Sequence, residues 1–208
     1  MSSSPARPAA PAGPKGPRRR GASLTRAIHL ATLTELAENG FDKLSFDKIA
    51  SAAGTGKASL YRRWSTPAEL VLAALTDPVC GFGDAAEPRT GTLRGDLTAL
   101  LNGFARTLEH QPHGRALLPL ITQRPRHPEL YAEVRRLVIE PRQRWITALL
   151  REAAERGEAD PGAVTPLVAA VGPRLVVAAL LDHGTVGPVE VDAIVDEVLL
   201  PVLTARGR

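Results

Sequence analysis

Apolar side chains recur at intervals of three and four residues along most of this chain, and this periodicity restricts its fold more than any other feature. After residue 22, no run of alternating apolar and polar residues is long enough for a β-strand. With 208 residues, 44% of them hydrophobic, the chain is long enough to bury a core. The sequence therefore predicts an all-α fold of about nine helices.

The first 22 residues form a segment of a different character. Proline occurs there at every third position from Pro5 to Pro17, which is typical of polyproline II or of a disordered segment. Residues 1–26 contain six Lys or Arg and no Asp or Glu, although the net charge of the whole chain is only +4. Because such a block of positive charge attracts polyanions, we predict a disordered basic arm over residues 1–22.

Three features predict a cytoplasmic protein that is not embedded in a membrane. The arm contains no apolar run of the kind found in a secretory signal before Leu24. The single cysteine, Cys80, cannot form an internal disulfide. The most apolar segment, residues 166–181, is shorter than the roughly 20 residues that a membrane span requires, and Arg174 interrupts it.

A helix is predicted over residues 24–38, and two short helices around a glycine follow it. Ser45 is a suitable N-cap for the first short helix, because its hydroxyl can accept a hydrogen bond from an amide of the first turn. Gly54 ends that helix, and the second is predicted from about Gly56 to Trp64. Two short helices joined by a tight glycine turn form a helix-turn-helix motif.

The second short helix has two different faces. At about 100° per residue, Leu60 and Trp64 share the face that we expect to pack against the preceding helices. Ala58 and Arg62 point the opposite way, so the exposed face is small near its start and cationic near its end, which suits the major groove of DNA. We expect the cations to lack acidic neighbours because their acidic partner is another molecule. The alternative is an ordinary solvated face.

These residues resemble the DNA-binding region of the tetracycline-repressor (TetR) family of bacterial transcription regulators. The family signature runs from a Gly-aromatic turn through a Ser/Thr-capped helix to Ala-Gly, a two-residue turn and Leu-Tyr-x-x-aromatic. The matching elements here are Gly40-Phe41, Ser45, Ile49-Ala50, Ala53-Gly54, Leu60-Tyr61 and Trp64. The rest of the chain resembles the family only in its length and helical pattern.

The resemblance implies which residues contact DNA. Ser45 would donate to a phosphate, Tyr61 and Arg63 would hold the DNA backbone, and the start of the second short helix would approach the bases. The predicted DNA-binding residues are Ser45, Thr55, Gly56, Lys57, Ala58, Ser59, Tyr61, Arg62 and Arg63.

This chain departs from the family pattern at two positions. Gly56 replaces the usual Ser or Thr cap, and Pro67 replaces a Lys that often begins the fourth helix. Arg20 and Arg26 are candidates to compensate for that missing phosphate contact.

The fourth helix has a well-specified start and leads to a predicted domain boundary. Thr66 is its N-cap, Pro67 takes its first position and Glu69 is the reciprocal capping acid. The helix should end at Thr76, before a loop rich in Gly, Pro and acids. We therefore predict a basic arm over residues 1–22, a DNA-binding domain over 23–76, and a ligand-binding and dimerisation domain over 77–208.

The second domain should contain five helices. The first spans about residues 93–108, a short one spans 115–122, and a long one spans 129–156 with a bend at Pro141. The last two are an almost wholly apolar helix over 165–183 and a helix after it with an apolar stripe. They suggest a homodimer, since such terminal helices pair across the dimer in the TetR family. The alternative is an ordinary core. The predicted dimer residues are Leu175, Val176, Ala179, Val191, Ile194, Val195, Val198 and Val202.

The resemblance also implies a pocket in the second domain for an unknown small-molecule effector. The candidate lining residues are Phe104, His113, Tyr131 and Trp145, although each also suits an ordinary core or surface position.

No enzyme, metal site or cofactor is predicted. The segment GTGKAS is not a phosphate-binding P-loop, because that motif requires Gly at the position of Ser51, Ser or Thr at the position of Ala58, and a preceding strand. His110 and His113 flank a proline and have no Cys or acidic cluster beside them, so they do not form a metal site. No nucleophile, base and orienting group can be assembled from the sequence.

The sequence therefore predicts a homodimeric, one-component transcriptional repressor that leaves a palindromic double-stranded DNA operator when it binds a small molecule. A helical interaction module that binds nucleic acid nonspecifically, or a protein partner, is the alternative. A small all-helical enzyme is a third reading.

Overall fold

The computed structural model describes residues 21–83 and 88–205, and within these ranges it contains nine helices and no strand. This confirms the all-α fold. The predicted basic arm lies outside the described residues except for Gly21 and Ala22, and Ala22 begins the first helix. The helices are α1 (Ala22–Asn39), α2 (Phe46–Ala52), α3 (Lys57–Tyr61), α4 (Pro67–Thr76), α5 (Leu93–His110), α6 (Pro112–Thr122), α7 (Pro128–Val134 and Glu140–Glu155 around a π-helical turn), α8 (Pro166–His183) and α9 (Pro188–Ala193 to Leu200–Thr204 around a second π-helical turn).

The helix-turn-helix comprises α2 and α3, of which α2 packs on α1 and α3 packs on α2. The Ser45 hydroxyl accepts a hydrogen bond from the Lys48 amide at 3.4 Å, as the capping prediction requires. Gly56 caps α3 without a side-chain hydrogen bond. The α3 helix is shorter than expected, because Arg62 and Arg63 already belong to the turn that leads to Trp64.

The start of α4 is a capping box with one difference from the prediction. The Thr66 hydroxyl accepts from the Glu69 amide at 3.2 Å, while the Glu69 carboxylate accepts from the amide of Ser65 at 2.7 Å, one residue before the N-cap. The helix ends at Thr76 as predicted.

Proline explains two irregularities in the second half of the chain. Pro112 occupies the first turn of α6, so this helix begins three residues before the predicted Arg115. In α7 a π-helical turn over Arg135–Ile139 ends two residues before Pro141. Proline lacks an amide hydrogen and its ring collides with the carbonyl four residues earlier, so the regular hydrogen-bond ladder cannot continue through it.

The apolar residues of α8 and α9 divide between the chain's own core and its surface. Val176, Val191 and Val195 are completely buried and Ile194 nearly so, because α9 packs on α5 and α8. The prediction that these four face a second copy was wrong: their partners lie in the same chain. Other apolar side chains of the two helices remain outside this core, either half-buried or exposed: Leu167, Leu175, Ala179, Leu181, Val198 and Val202.

The α8 helix also meets the length and composition criteria for a membrane span. Its 18 residues have a mean hydropathy of 1.4, and only 28% of them are buried within the chain. In this fold α8 packs on α5, α7 and α9, so one side belongs to the core and the other is uncovered.

Candidate nucleic-acid interface

The inner face of α3 is anchored by two large apolar side chains. Leu60 is completely buried and Trp64, in the turn after the helix, is 8% exposed. Both therefore pack inward, as their spacing predicted. Because α3 has only five residues, burial of these two side chains, rather than the helix's own hydrogen bonds, fixes which of its sides faces outward.

The opposite face of α3 lies open. Lys57, Ala58 and Arg62 are exposed, and Tyr61 is 56% exposed, whereas Ser59 is half-buried at the margin. The structure therefore brings the predicted residues of α3 together on one outward surface. Thr55 is half-buried just before the helix, and its amide donates to the Ala50 carbonyl at 2.9 Å.

Gly56 keeps the start of α3 accessible. Its φ of −84° is available to any residue, so no backbone strain requires glycine here. A Cβ at this position would meet no atom within 4 Å, which means that the surface beside it is empty. A polar surface such as a DNA groove can therefore approach the backbone closely.

Tyr61 is held in place by an aromatic contact. Its ring meets the buried ring of Phe46 edge-on, with centroids 4.8 Å apart and an interplanar angle of 83°. The contact fixes the direction of an otherwise exposed side chain, so its hydroxyl reaches outward from a supported position.

Lys57 has an acidic neighbour, which corrects the expectation that the cations of this face lack one. Its ammonium Nζ lies 2.8 Å from Oδ2 of Asp47 in the first turn of α2. The hydrogen bond to Asp47 raises the pKa of Lys57 above its ordinary value. Lys57 also lies 5.7 Å from the centre of the Tyr61 ring.

The two arginines after α3 differ in their surroundings. Arg63 donates from Nη1 to the Thr25 hydroxyl in α1 at 2.6 Å, so its guanidinium is fixed beside the first helix. Arg62 is exposed and forms no hydrogen bond or ion pair within the described ranges 21–83 and 88–205. Ser45, the remaining predicted contact, accepts from Lys48 and keeps its hydroxyl proton free to donate.

The helix-turn-helix is joined to the rest of the chain at the end of α4. His29 of α1 contacts Oδ2 of Asp77 through Nδ1 at 2.9 Å, and its ring lies 5.6 Å from the ring of Trp64. Burial alone would raise the pKa of Asp77, but hydrogen bonds from the Cys80 and Val79 amides and from His29 outweigh it and lower that pKa. His29 therefore contacts both Trp64, which helps to orient α3, and Asp77, which caps the end of α4.

A second junction connects the turn after α1 to the end of α6. Oδ2 of Asp42 forms an ion pair with Arg126 at 2.7 Å, and Oδ1 of the same carboxylate lies 2.7 Å from Nε2 of His127. The Phe41 amide donates to Oε1 of Gln123 at 3.3 Å, and the Phe41 ring meets the His127 ring edge-on at 4.8 Å. Neither junction was predicted, because the partners are separated by 48 to 85 residues.

The four predicted effector-pocket residues do not line one common cavity. Trp145 lines a surface cleft of about 310 Å³ together with Arg89, Asp96 and Glu152. An apolar cavity of about 10 Å³ between α5, α7, α8 and α9 has none of the four in its wall. Phe104 and Tyr131 are half-buried and line neither space.

His113 has a packing role instead. Its ring meets Phe82 edge-on at 4.6 Å, and the guanidinium of Arg142 lies over the same phenyl ring at 4.6 Å. Burial lowers the pKa of His113, and the charge of Arg142 acts in the same direction. Among the described residues, no three His, Cys, Asp or Glu side chains are grouped so that they could hold a metal ion.

Sequence comparisons match both halves of the chain to one family. Residues 28–74 match the family described as "Bacterial regulatory proteins, tetR family", and residues 87–198 match "Tetracyclin repressor-like, C-terminal domain". An uncharacterized HTH-type transcriptional regulator of Mycobacterium tuberculosis is 33% identical over 174 residues, which cover 83% of this chain and 84% of the relative. A protein of Mycobacteroides abscessus named "DNA-binding transcriptional repressor TetR" is 30% identical over 190 residues, covering 91% of this chain and 98% of the relative.

Solved structures agree with the sequence comparisons. The crystal structure of the TetR family transcription regulator SCO0332 superposes with a TM-score of 0.62 at 26% identity, covering 85% of this chain and 97% of that one. Proteins of this family are transcription regulators and generally not enzymes. The resemblance inferred from the glycine turn and the residues after it is confirmed, and the chain belongs to the TetR family of helix-turn-helix transcription regulators.

Proposed function

We propose that this chain is a cytoplasmic, homodimeric, one-component transcriptional repressor that binds a palindromic operator and leaves it when a small molecule binds. In this proposal residues 23–76 form the DNA-binding domain and residues 77–208 form the domain for dimerisation and effector binding. The observation that carries the proposal is the orientation of α3: Leu60 and Trp64 are buried beneath it, while Lys57, Ala58 and Arg62 are exposed.

The exposed surface suits the chemistry of a DNA groove. Thr55, Ala58 and Ser59 are small and allow close approach to base edges, where direct readout takes place. Tyr61, Arg62 and Arg63 lie on or after the last turn of α3 and are suited to phosphates, which fix the position of a protein on the duplex. Ser45 donates to a further phosphate from the start of α2.

A second copy of the chain explains the uncovered apolar side of α8 and α9. Leu167 and Leu181 are 66% and 51% exposed, and Val198 and Val202 are 38% and 48% exposed. Pairing of these surfaces around a twofold axis removes them from water, which is favourable by about 25 cal/mol per Å². Two copies of α3, spaced about 34 Å apart, then read two half-sites of a palindrome.

The cleft beside Trp145 is the candidate effector site. Its volume of about 310 Å³ falls in the range of pockets that hold small molecules. Its wall combines the apolar surfaces of Trp145 and Leu149 with the charged groups of Arg156 and Glu152, which favours a mixed rather than a purely apolar ligand. Such a ligand changes operator affinity only if it binds one arrangement of the two DNA-binding domains better than the other.

The first experiment is the selection of genomic fragments that bind the full-length protein. A selected duplex and a scrambled duplex are then titrated by fluorescence anisotropy between 50 and 200 mM salt. Over this range, a protein that makes about 6–10 phosphate contacts loses roughly 10³–10⁵ in affinity. The proposal expects the selected duplex to bind at least about 10³-fold more tightly at each salt concentration. Equal affinity for both duplexes throughout would leave only nonspecific attraction to phosphates and would overturn the proposal.

A further inference from the structure

The ion pair between Asp47 and Lys57 lies on the surface that the proposed function assigns to DNA. Asp47 is the only acidic residue between positions 45 and 63, a stretch that contains four Lys or Arg. Its carboxylate lies 2.8 Å from the Lys57 ammonium, and the side chains are 68% and 47% exposed. One of the cations that could meet DNA is therefore neutralised while the protein is free.

Helix stability explains an acid at this position only in part, because Asp47 lies in the first turn of α2, where a negative charge is favourable by about 0.3–1 kcal/mol. The N-cap of α2 is supplied by Ser45, and neither Asp47 nor Lys57 belongs to the core. Exposed ion pairs contribute only about 0–1 kcal/mol to stability. The pair is therefore weak enough to exchange its partners when a better acceptor for Lys57 arrives.

We infer that Asp47 is a specificity-determining residue, which keeps Lys57 neutralised in complexes with non-operator DNA and releases it when α3 is seated in the operator. The inference rests on the proposed operator binding. Its physical basis is that nonspecific affinity comes almost entirely from cations that neutralise phosphates, so each cation withheld from them lowers that affinity.

The two kinds of complex differ in what holds α3. In an operator complex, base contacts hold α3 in the groove and carry Lys57 against the duplex, where a phosphate or base acceptor replaces Asp47. On other sequences only phosphate attraction operates, so the protein docks loosely and the ion pair remains intact. Asp47 therefore costs little affinity for the operator and more affinity for all other DNA.

The test compares Asp47→Asn with the wild type on a selected operator duplex and on a scrambled duplex. For the scrambled duplex, the plot of log affinity against log salt should become steeper by about 0.9, the value for one added phosphate contact. The ratio of variant affinity to wild-type affinity should therefore be about threefold or more higher at 50 mM salt than at 200 mM salt. For the operator duplex the slope should stay unchanged, so the ratio of operator to scrambled affinity falls.

A matched control removes an acid from a similar ion pair elsewhere. Glu133 lies 2.7 Å from Arg136 on α7 and both side chains are exposed, so Glu133→Gln changes the net charge by the same amount outside the helix-turn-helix. This variant should leave both slopes unchanged. Thermal melts of both variants verify that the fold is retained.

A double-mutant cycle ties the effect to Lys57. If Asp47 acts through Lys57, then Asp47→Asn should no longer steepen the scrambled-duplex slope in a Lys57→Ala background. An unchanged scrambled-duplex slope in the single variant, or an equal change on both duplexes, would overturn the inference while leaving operator binding intact. A wild-type protein that prefers no selected duplex would instead overturn the proposed function.

Discussion

Nδ1 of His29 lies 2.9 Å from Oδ2 of Asp77, and this contact joins the first helix to the residue that ends α4. The His29 ring also lies beside Trp64, one of the two side chains that orient α3. Asp77 in turn accepts hydrogen bonds from the Val79 and Cys80 amides, which begin the connection to the second half of the chain. The direction of α3 is therefore coupled by direct contacts to the position of α4.

We expect this junction to weaken at low pH. The pKa of Asp77 is lower in the folded protein than its ordinary value of 3.8, because hydrogen bonds from Cys80, Val79 and His29 outweigh the effect of burial. The ionised carboxylate therefore stabilises the fold above pH 3.8, and this contribution is lost as the pH falls through the folded pKa. Thermal melts between neutral pH and pH 3 should show that acid lowers the melting temperature of Asp77→Asn less than that of the wild type. Parallel curves for the two proteins would contradict the assignment.

Arg62→Ala should weaken operator binding without changing the fold. Arg62 is exposed and contacts none of the described residues through a hydrogen bond or ion pair, so its removal leaves the protein's own contacts intact. The slope of log affinity against log salt should become shallower by about 0.9, the value for one lost phosphate contact. Arg144→Ala, an exposed arginine on α7, is the control and should bind like the wild type. Unchanged operator affinity in Arg62→Ala would contradict the orientation assigned to α3.

Tyr61→Ala should reduce both operator affinity and, slightly, stability. The substitution removes the exposed hydroxyl that would contact DNA. It also removes the edge-on contact with the Phe46 ring, and such a contact contributes about 0.5–1.5 kcal/mol to stability. Tyr61→Phe separates the two effects, because it keeps the ring contact and removes only the hydroxyl. We expect Tyr61→Phe to have the stability of the wild type in urea unfolding and reduced operator affinity in anisotropy titrations.

Gly40→Ala should destabilise the protein by about 1–3 kcal/mol, the cost of a non-glycine residue in this backbone region. Gly40 has a φ of 71° and a ψ of 172°, and an added Cβ would lie 2.7 Å from Nε2 of Gln123. Gly56→Ala is a suitable comparison, since its φ is −84° and no atom lies within 4 Å of the added Cβ. Urea unfolding should therefore separate the two variants, and equal midpoints would argue against strain at Gly40.

Leu181→Asp should convert the proposed dimer into a monomer. Leu181 is 51% exposed on the uncovered side of α8, so a carboxylate there is tolerated by the single chain and disfavoured between two apolar surfaces. Light scattering after size-exclusion chromatography should report the mass of one chain, and operator affinity should fall because the half-sites are no longer bound together. Leu30→Asp changes a similarly exposed leucine on α1 and should remain dimeric. A dimeric Leu181→Asp would contradict this interface.

Features that depend on a few neighbouring residues could be predicted from the sequence. The hydroxyls of Ser45 and Thr66 cap helices as expected, because a cap is decided by amides within three residues along the chain. Leu60 and Trp64 are buried together because their spacing of four places them on one side of the chain. The family signature combines such local features, which is why the resemblance could be recognised from the sequence.

Features that depend on distant segments were decided by the tertiary structure alone. Periodicity shows that Val191 and Val195 lie on an apolar side of their helix, but only the packing of α9 on α5 and α8 determines that this side is buried in the same chain. The Asp47–Lys57 pair likewise joins two helices whose relative angle is set by the buried core beneath them. Local sequence determines which helices form and which residues share a face, whereas the partner of each face depends on how the helices pack in three dimensions.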